Sequence, residues 1–268
     1  MTLANPIRFV DSHCHLDRLD LKPFDGKLES ALAAARNVGV EYFLCVAINL
    51  EAIPYLAAIA EQFPGVYTSV GIHPGEKVTR EPNVEELVAL ANNSHVVAIG
   101  ETGLDYHYLN SNPLLQQERF RKHIQAAHSV QKPLIIHSRD ARADTLQILR
   151  EERARDIGGV MHCFTEDWNT AHAALDLGFY ISFSGIITFN NATELQKIAQ
   201  RIPLEYLLIE TDAPYLTPVP FRGKAKNQPA WVKYVAEKIA AIHEIELATV
   251  ATATTENFFR FIKKQPVR

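Results

Sequence analysis

The 268-residue sequence has few cysteines and lacks any long hydrophobic run. Its three cysteines, Cys14, Cys45 and Cys163, are an odd number in a long chain, which excludes a disulfide-stapled scaffold. No apolar stretch approaches the roughly 18 residues of a membrane-spanning helix, and no basic segment followed by a hydrophobic core opens the chain. We therefore expect a cytoplasmic protein with reduced thiols and no membrane association. Nothing in the sequence indicates an obligate protein partner.

An excess of positive charge is also absent. The chain carries 27 Lys and Arg against 31 Asp and Glu, for a formal net charge of −4. This charge balance excludes a protein that coats nucleic acid through its overall charge, although it is compatible with a local site that binds a phosphate ester. A hydrophobic fraction of 47% excludes intrinsic disorder.

Short apolar runs alternate with amphipathic stretches of helical period along the whole chain. The predicted strands are Ile7–Asp11, Tyr42–Ala47, Val66–Ile72, Val96–Gly100, Pro133–His137, Gly158–His162, Phe179–Ser184 and Tyr206–Glu210. The predicted helices are 27–38, 53–62, 84–93, 114–130, 142–155, 169–177 and 192–201, followed by two C-terminal helices near 231–243 and 246–262. Continuously apolar strands such as YFLCVA are typical of a parallel sheet that is buried on both faces.

Eight such units predict an α/β protein with the fold of a single-domain (β/α)8 TIM barrel over residues 1–268, with C-terminal helices. The alternative is an open, doubly wound sheet. Neither G-x-G-x-x-G nor G-x-x-x-x-G-K-[ST] occurs at a strand-to-helix turn, so the nucleotide-binding signatures of that fold are missing. We find no linker, low-complexity tract or short internal repeat that would divide the chain.

Chemically active side chains recur at one position of these units, within two residues of the carboxyl end of a predicted strand or, for His15, four residues beyond it. They are His13, His15, Glu101, His137, His162 and Asp212. In a barrel these strand ends form one face, where the βα loops build active sites. In extended backbone, His13 and His15 point to the same side and Cys14 to the other. A lone strand-end histidine is usually structural, but four in the same position favour metal ligation.

Six candidate ligands exceed the number that one tetrahedral ion uses, so two divalent ions that share a carboxylate are the simplest arrangement. Glu101 is the natural bridge. His13, His15 and Asp212 complete one predicted site, and His137 with His162 completes the other. The expected cofactors are two ions of zinc, manganese or magnesium, which can activate water for attack at phosphorus.

The sequence also resembles a known family along nearly its whole length. The segments VDSHCHLD, GIHPGE, IGETGLDYH, PLIIHSRDA, MHCFTED and LIETDAPYLTP follow the pattern of the TatD-type deoxyribonucleases. The resemblance implies a (β/α)8 barrel of the amidohydrolase group with a divalent-metal centre that hydrolyses DNA. It implies the same six ligands in the same two groups. One departure is RGKAKNQPA, which has one residue more than the pattern between the Arg-Gly pair and the asparagine.

Four further residues are candidates for substrate contact or support of the ligands: His73, Arg139, Glu210 and Arg222. The family pattern implies that His73 contacts substrate, with a structural turn histidine as the alternative. Arg139 either holds a phosphate oxygen or pairs with a nearby aspartate. Glu210 orients a ligand, shuttles a proton or forms a buried ion pair. Arg222 belongs to a basic loop with Lys224 and Lys226, which either steers an anionic substrate or is simply solvated.

Tyr106 and Tyr108 are predicted either to stack on a base or to pack their own loop. A catalytic role for Cys14 or Cys163 is disfavoured, because neither has the paired base and orienting group of a cysteine nucleophile.

The predicted function is therefore divalent-metal-dependent hydrolysis of phosphodiester bonds, with DNA or another phosphodiester as the partner. Glu101 and Asp212 are the predicted catalytic residues: Glu101 bridges the ions, and Asp212 receives a proton from the attacking water. An alternative keeps the metal centre but acts on an amide, a lactone or an aminoacyl ester. A third hypothesis is a metal-binding protein without turnover.

Overall fold

The structure is a computed structural model that describes residues 7–107 and 112–264. Tyr108, one of the two tyrosines considered for base stacking, lies outside the described residues. Within the described part of the chain, no helix is both long enough and apolar enough to cross a membrane.

Strands and helices alternate as the sequence predicts. The strands are β1 Phe9–Cys14, β2 Val40–Cys45, β3 Val66–Val70, β4 Val96–Asp105, β5 Leu134–Arg139, β6 Gly159–Met161, β7 Tyr180–Phe183 and β8 Leu207–Ile209. They form one sheet in the order β1 to β8, and the pairs from β3 to β7 are parallel. The helices are α1 Leu28–Asn37, α2 Ile53–Gln62, α3 Val84–Ala91, α4 Pro113–Val130, α5 Arg142–Glu151, α6 Trp168–Asp176, α7 Thr193–Arg201, α8 Val232–His243 and α9 Leu247–Phe261. This is the (β/α)8 TIM-barrel fold, with α8 and α9 as the predicted C-terminal helices.

The chain divides into two compact units by the density of its internal contacts. The first unit contains residues 7–43 and 183–258, and the second contains residues 44–107, 112–182 and 259–264. The predicted single domain over 1–268 therefore stays a prediction.

Each unit has its own fully buried aromatic and aliphatic side chains. In the first unit, Phe9, Leu32 and Phe258 are among the largest of these. In the second, Phe120 of α4 and Phe179 are fully buried. Burial of such side chains is the main stabilising term in each unit, at roughly 1.5–3 kcal/mol for each large side chain.

Strand β4 is longer than the sequence pattern predicts, which corrects the position of Glu101. The prediction ends this strand at Gly100, whereas β4 continues to Asp105 and pairs with β5, with Gly103 opposite His137. At Gly103 φ is +133°, and a Cβ there would lie 2.0 Å from the carbonyl oxygen of His137. Glycine is required for this close approach, so it continues the strand rather than ending it. Glu101 consequently lies inside β4 and not at its end.

Helix α4 carries a buried polar stripe that faces the segment after β3 and the end of β4. The helix begins with Pro113 after Asn112, whose side chain accepts a hydrogen bond from the backbone N–H of Leu115 at 3.3 Å. Its buried residues include Gln116, Arg119 and His123. Spacings of three and four residues place these side chains on one face of the helix.

Candidate metal centre

The first candidate cluster lies in the first unit, at the end of β1. This strand runs to Cys14, so His13 lies inside it and His15 follows it directly. The imidazole rings of the two histidines are 5.1 Å apart between centroids, close to edge-on. Backbone hydrogen bonds from Asp212 N–H to His13 O at 2.9 Å and from His15 N–H to Ala213 O at 2.8 Å bring the segment after β8 alongside.

Asp212 directs its carboxylate at both histidines. Its Oδ1 lies 3.2 Å from Nε2 of His15 and 3.7 Å from Nε2 of His13. The backbone of Asp212 has φ of +55°, a left-handed conformation that aspartate tolerates better than most residues. We call His13, His15 and Asp212 the Asp212 cluster.

Buried polar contacts fix the turn that presents Asp212. Asp11 accepts hydrogen bonds from the hydroxyl of Thr211 at 2.5 Å and from its backbone N–H at 2.8 Å. Burial raises the pKa of Asp11 to about 8. Asn227 donates from Nδ2 to the carbonyl oxygens of Thr211 at 2.8 Å and Tyr215 at 2.7 Å. The turn after β8 is therefore held from both sides.

The second candidate cluster lies in the second unit and is centred on Glu101, which is only 3% exposed. His137 Nδ1 lies 3.0 Å and His162 Nε2 lies 2.9 Å from the same carboxylate oxygen, Oε1. The two imidazole centroids are 5.8 Å apart. We call Glu101, His137 and His162 the Glu101 cluster.

A second carboxylate contacts the Glu101 cluster from the opposite side of His137. Nε2 of His137 lies 3.1 Å from Oδ2 of Asp105. Burial opposes protonation of His137, but the hydrogen bonds with Asp105 and Glu101 outweigh it and raise the pKa of the imidazole. Burial likewise opposes ionisation of Asp105, yet the hydrogen bond from His137 prevails and lowers the pKa of this carboxyl. The surroundings of His137 thus favour a positive charge.

His73 lies beside this cluster and has one ring nitrogen that can donate a hydrogen bond. Its Nδ1 accepts from the backbone N–H of Gly75 at 3.0 Å, which leaves the proton of the neutral ring on Nε2, 3.6 Å from Glu101 Oε1. Burial lowers the pKa of His73 to about 4, so the ring is neutral near pH 7. Arg119 of α4 holds this segment through the carbonyl oxygens of His73 and Glu76, both at 3.1 Å.

Both clusters have the chemistry of a catalytic metal site. Each offers two imidazole nitrogens and one carboxylate, and catalytic zinc sites use three such protein ligands and leave a position open. Ligand atoms around a tetrahedral zinc ion are about 3.3 Å apart, given metal–ligand bonds of about 2.0–2.1 Å. The distances from the carboxylate oxygens to the imidazole nitrogens, 2.9 to 3.7 Å, match this spacing in both clusters. The residues present therefore fit a divalent ion.

The other predicted contact residues occupy varied surroundings. Glu210 is 1% exposed, and its backbone N–H donates to the carbonyl oxygen of Phe183 at 3.1 Å. Arg139, at the end of β5, is exposed. Arg222 is exposed and places its guanidinium 3.7 Å above the ring of Phe189. The hydroxyl of Tyr106 donates a hydrogen bond to the carboxylate of Asp144 on α5 at 2.8 Å, so this side chain makes a contact within the protein. The proposed roles of Glu210, Arg139 and Arg222 stay predictions.

Sequence reasoning missed the residues that support the two clusters. Asp11 precedes the His-x-His pair by two residues, and strand parity places it on the same face, so this one had a detectable signal. Arg119 and Gln116 lie on α4, and their contacts with the segment after β3 and with the end of β4 depend on how α4 packs. A helical sequence alone does not reveal such contacts.

Comparison with known proteins agrees with the fold and with metal dependence. Residues 10–263 match the model of the family described as TatD related DNase. The chain is 50% identical over 252 residues to the uncharacterized metal-dependent hydrolase YcfH of Escherichia coli K12, covering 94% of each chain. It is 40% identical over 254 residues to YabD of Bacillus subtilis, another uncharacterized metal-dependent hydrolase, covering 94% of this chain and 98% of YabD. The crystal structure of YJJV, a TatD homologue of Escherichia coli K12, superposes with a TM-score of 0.90 at 28% identity, covering 97% of this chain and all of that one.

Proposed function

Since the chain belongs to the TatD related DNase family of metal-dependent hydrolases, we propose that it hydrolyses phosphodiester bonds of DNA. The observation that carries this proposal is the pair of clusters that each gather two imidazoles and one carboxylate. The family description supports a nucleic-acid substrate. The exposed basic side chains of Arg222, Lys224 and Lys226 support an anionic one.

In this proposal, His13, His15 and Asp212 would hold one divalent ion, and Glu101, His137 and His162 would hold another. The assignment rests on the fold class, because the carboxyl ends of the strands of a (β/α)8 barrel line one face. Divalent ions bound there supply a nucleophilic water at neutral pH and neutralise charge on the phosphate oxygens. Zinc, manganese and magnesium are the candidate ions.

The protein's own side chains position the substrate and move the proton. The Asp212 carboxylate, with its side chain 14% exposed, accepts the proton that the attacking water loses. His73 donates from Nε2 to a phosphate oxygen and stabilises the charge that develops there, a role that requires the neutral ring. The basic loop attracts the nucleic-acid backbone at the rim, which adds binding energy without taking part in the chemistry.

The test is a substrate panel with metal-free protein reloaded separately with magnesium, manganese and zinc. Single-stranded DNA, bis-nitrophenyl phosphate, a dipeptide and a lactone are compared by kcat/KM. We expect the two phosphodiesters to be cleaved fastest with at least one metal. Faster cleavage of the dipeptide or the lactone with every metal would overturn the proposal in favour of amidohydrolase or lactonase chemistry.

A matched pair of histidine variants distinguishes the cluster from the rest of the chain. His162→Ala removes a proposed ligand and should lower kcat for every substrate in the panel. His172→Ala removes an exposed histidine of α6 whose imidazole pairs with Asp176 at 3.2 Å, and it should keep the wild-type rates. Equal effects of the two substitutions would contradict the role of the Glu101 cluster.

A further inference from the structure

The imidazole of His137 lies between two carboxylates, one at each nitrogen. Nδ1 is 3.0 Å from Oε1 of Glu101, and Nε2 is 3.1 Å from Oδ2 of Asp105. Glu101 and Asp105 are both buried, at 3% exposure each. His137 therefore has little freedom to rotate without losing one of these contacts.

Asp105 is itself held at three points. Its Oδ1 accepts a hydrogen bond from the backbone N–H of His107 at 3.0 Å. Gln116 of α4 then binds the backbone of Asp105 twice, accepting from its N–H at 2.8 Å and donating to its carbonyl oxygen at 2.9 Å. Gln116 is 4% exposed, so these hydrogen bonds are shielded from water. The Asp105 carboxylate is thus fixed in direction before any ligand arrives.

A neutral imidazole carries one proton, and the nitrogen without it is the one that can bind a metal. With Asp105 accepting at Nε2, the proton of a neutral ring stays there, and Nδ1, on the side of Glu101, is the nitrogen left to bind a metal. We propose that Asp105 is a positioning residue that selects the Nε2–H tautomer of His137, and that Gln116 holds Asp105 in place for this purpose. The inference rests on the proposed metal site at His137 and not on the identity of the substrate.

A third ion bound by His73, Asp105 and His137 is the competing interpretation, since their donor atoms lie within 4.8 Å of one another. The hydrogen bond from Gly75 N–H to Nδ1 of His73 argues against it, because it leaves the proton of the neutral ring on Nε2. His137 would also have to bind one ion at each nitrogen. The geometry therefore favours a hydrogen bond between Asp105 and His137 over a metal between them.

Two substitutions of Asp105 separate tautomer selection from a merely structural role. In Asp105→Asn, the side-chain oxygen still accepts from His107 N–H, so the amide NH2 faces Nε2 of His137. This donor favours the Nδ1–H tautomer, which cannot bind the metal at Nδ1. Asp105→Ala removes the acceptor and leaves the tautomer unbiased. Tautomer selection therefore predicts that asparagine is the more damaging substitution, whereas a structural role predicts alanine.

The readout is the affinity for Zn²⁺, measured by calorimetric titration of metal-free protein. We expect one of two binding steps to weaken by about 100-fold in Asp105→Asn and by about 10-fold in Asp105→Ala, the range typical for groups that orient metal ligands. Gln117→Leu is the matched control. Gln117 neighbours Gln116 on α4 but bonds to Tyr106 and Asp144, so its loss should leave both steps unchanged. Weaker binding in the alanine variant than in the asparagine variant, or three Zn²⁺ equivalents in the wild type, would overturn the proposal.

A measurement on the wild-type protein makes the test independent of how the variants fold. Nitrogen-15 spectra of zinc-loaded protein with labelled histidine should show the proton of His137 on Nε2, with the signal assigned by its loss in His137→Gln. A proton on Nδ1 would refute the proposal. If these results hold but no phosphodiester is cleaved, the proposed function fails and the positioning role stands. Phosphodiester cleavage with unaltered Zn²⁺ affinity in both Asp105 variants would instead refute the positioning role and leave the proposed function standing.

Discussion

His123 should make the stability of the protein depend on pH between the neutral range and pH 4. The imidazole is fully buried in α4. Its Nδ1 lies 2.8 Å from the carbonyl oxygen of Arg119, and its Nε2 accepts from the backbone N–H of Ile72 at 3.1 Å. A second proton on Nε2 would face this N–H group and abolish the hydrogen bond. Burial accordingly lowers the pKa of His123 from 6.5 to about 4.

The direction and the size of the pH effect on stability follow from the lowered pKa of His123. Between pH 6.5 and about 4, the unfolded chain binds a proton at this histidine that the folded chain does not. The stabilisation is therefore fully present above pH 6.5 and is lost as the pH falls through that range. With a pKa of about 4 in the folded state, the loss between neutral pH and pH 5 is about 2 kcal/mol, and it reaches about 3 kcal/mol at pH 4.

The assay is the free energy of unfolding in urea, measured with chelator present at pH 7.5 and at pH 5. His123→Gln provides a carbonyl oxygen that can accept from Ile72 N–H but does not titrate. The difference between wild type and variant should shift by about 2 kcal/mol against the wild type at the lower pH. His172→Gln, at an exposed site of α6, should follow the wild type at both pH values. A difference between wild type and His123→Gln that does not change with pH would refute the reasoning.

Three further predictions concern the basic loop, β4 and Cys14. Replacing Arg222, Lys224 and Lys226 together by glutamine should raise KM for single-stranded DNA several-fold with little change in kcat. The salt dependence of KM should become weaker by about one ion for each phosphate that the loop no longer neutralises. An unchanged salt dependence would show that these side chains are solvated and do not contact the substrate. Gly103→Ala should lower the free energy of unfolding in urea by more than about 1 kcal/mol, since its Cβ would lie 2.0 Å from a carbonyl oxygen. An unaltered midpoint of urea unfolding would contradict the close packing of β4 on β5. Cys14→Ser should retain metal-dependent turnover, because this buried thiol transfers no proton and attacks no bond in the proposed mechanism. Loss of turnover at normal metal content would show that the thiol takes part in the reaction.

The order of the strands and α-helices could be predicted from the sequence, because the spacing of apolar residues reflects which face of each element is buried. The length of β4 could not. Its two glycines, Gly100 and Gly103, are typical of turns, and only the pairing with β5 shows that they serve a close approach between strands.

The candidate ligands could be found because they share one position within the βα units. The contacts that support them follow a different logic. Had the predicted strand been continued to Asp105, the two-residue period of a strand would have placed this residue on the same face as Glu101. The contact of Gln116 with Asp105 joins a helix to a strand end, and its geometry depends on how α4 packs, which local sequence does not specify.

Turnover of single-stranded DNA as a function of added metal tests the central claim most directly. Metal-free protein is titrated with the most active divalent ion from the panel, and the rate is followed as equivalents are added. We predict no cleavage without metal, a rise to a plateau at two equivalents per chain, and neither turnover nor full metal content in folded Glu101→Ala. Absence of DNA cleavage at every metal concentration, or full activity at one equivalent, would contradict a two-metal phosphodiesterase.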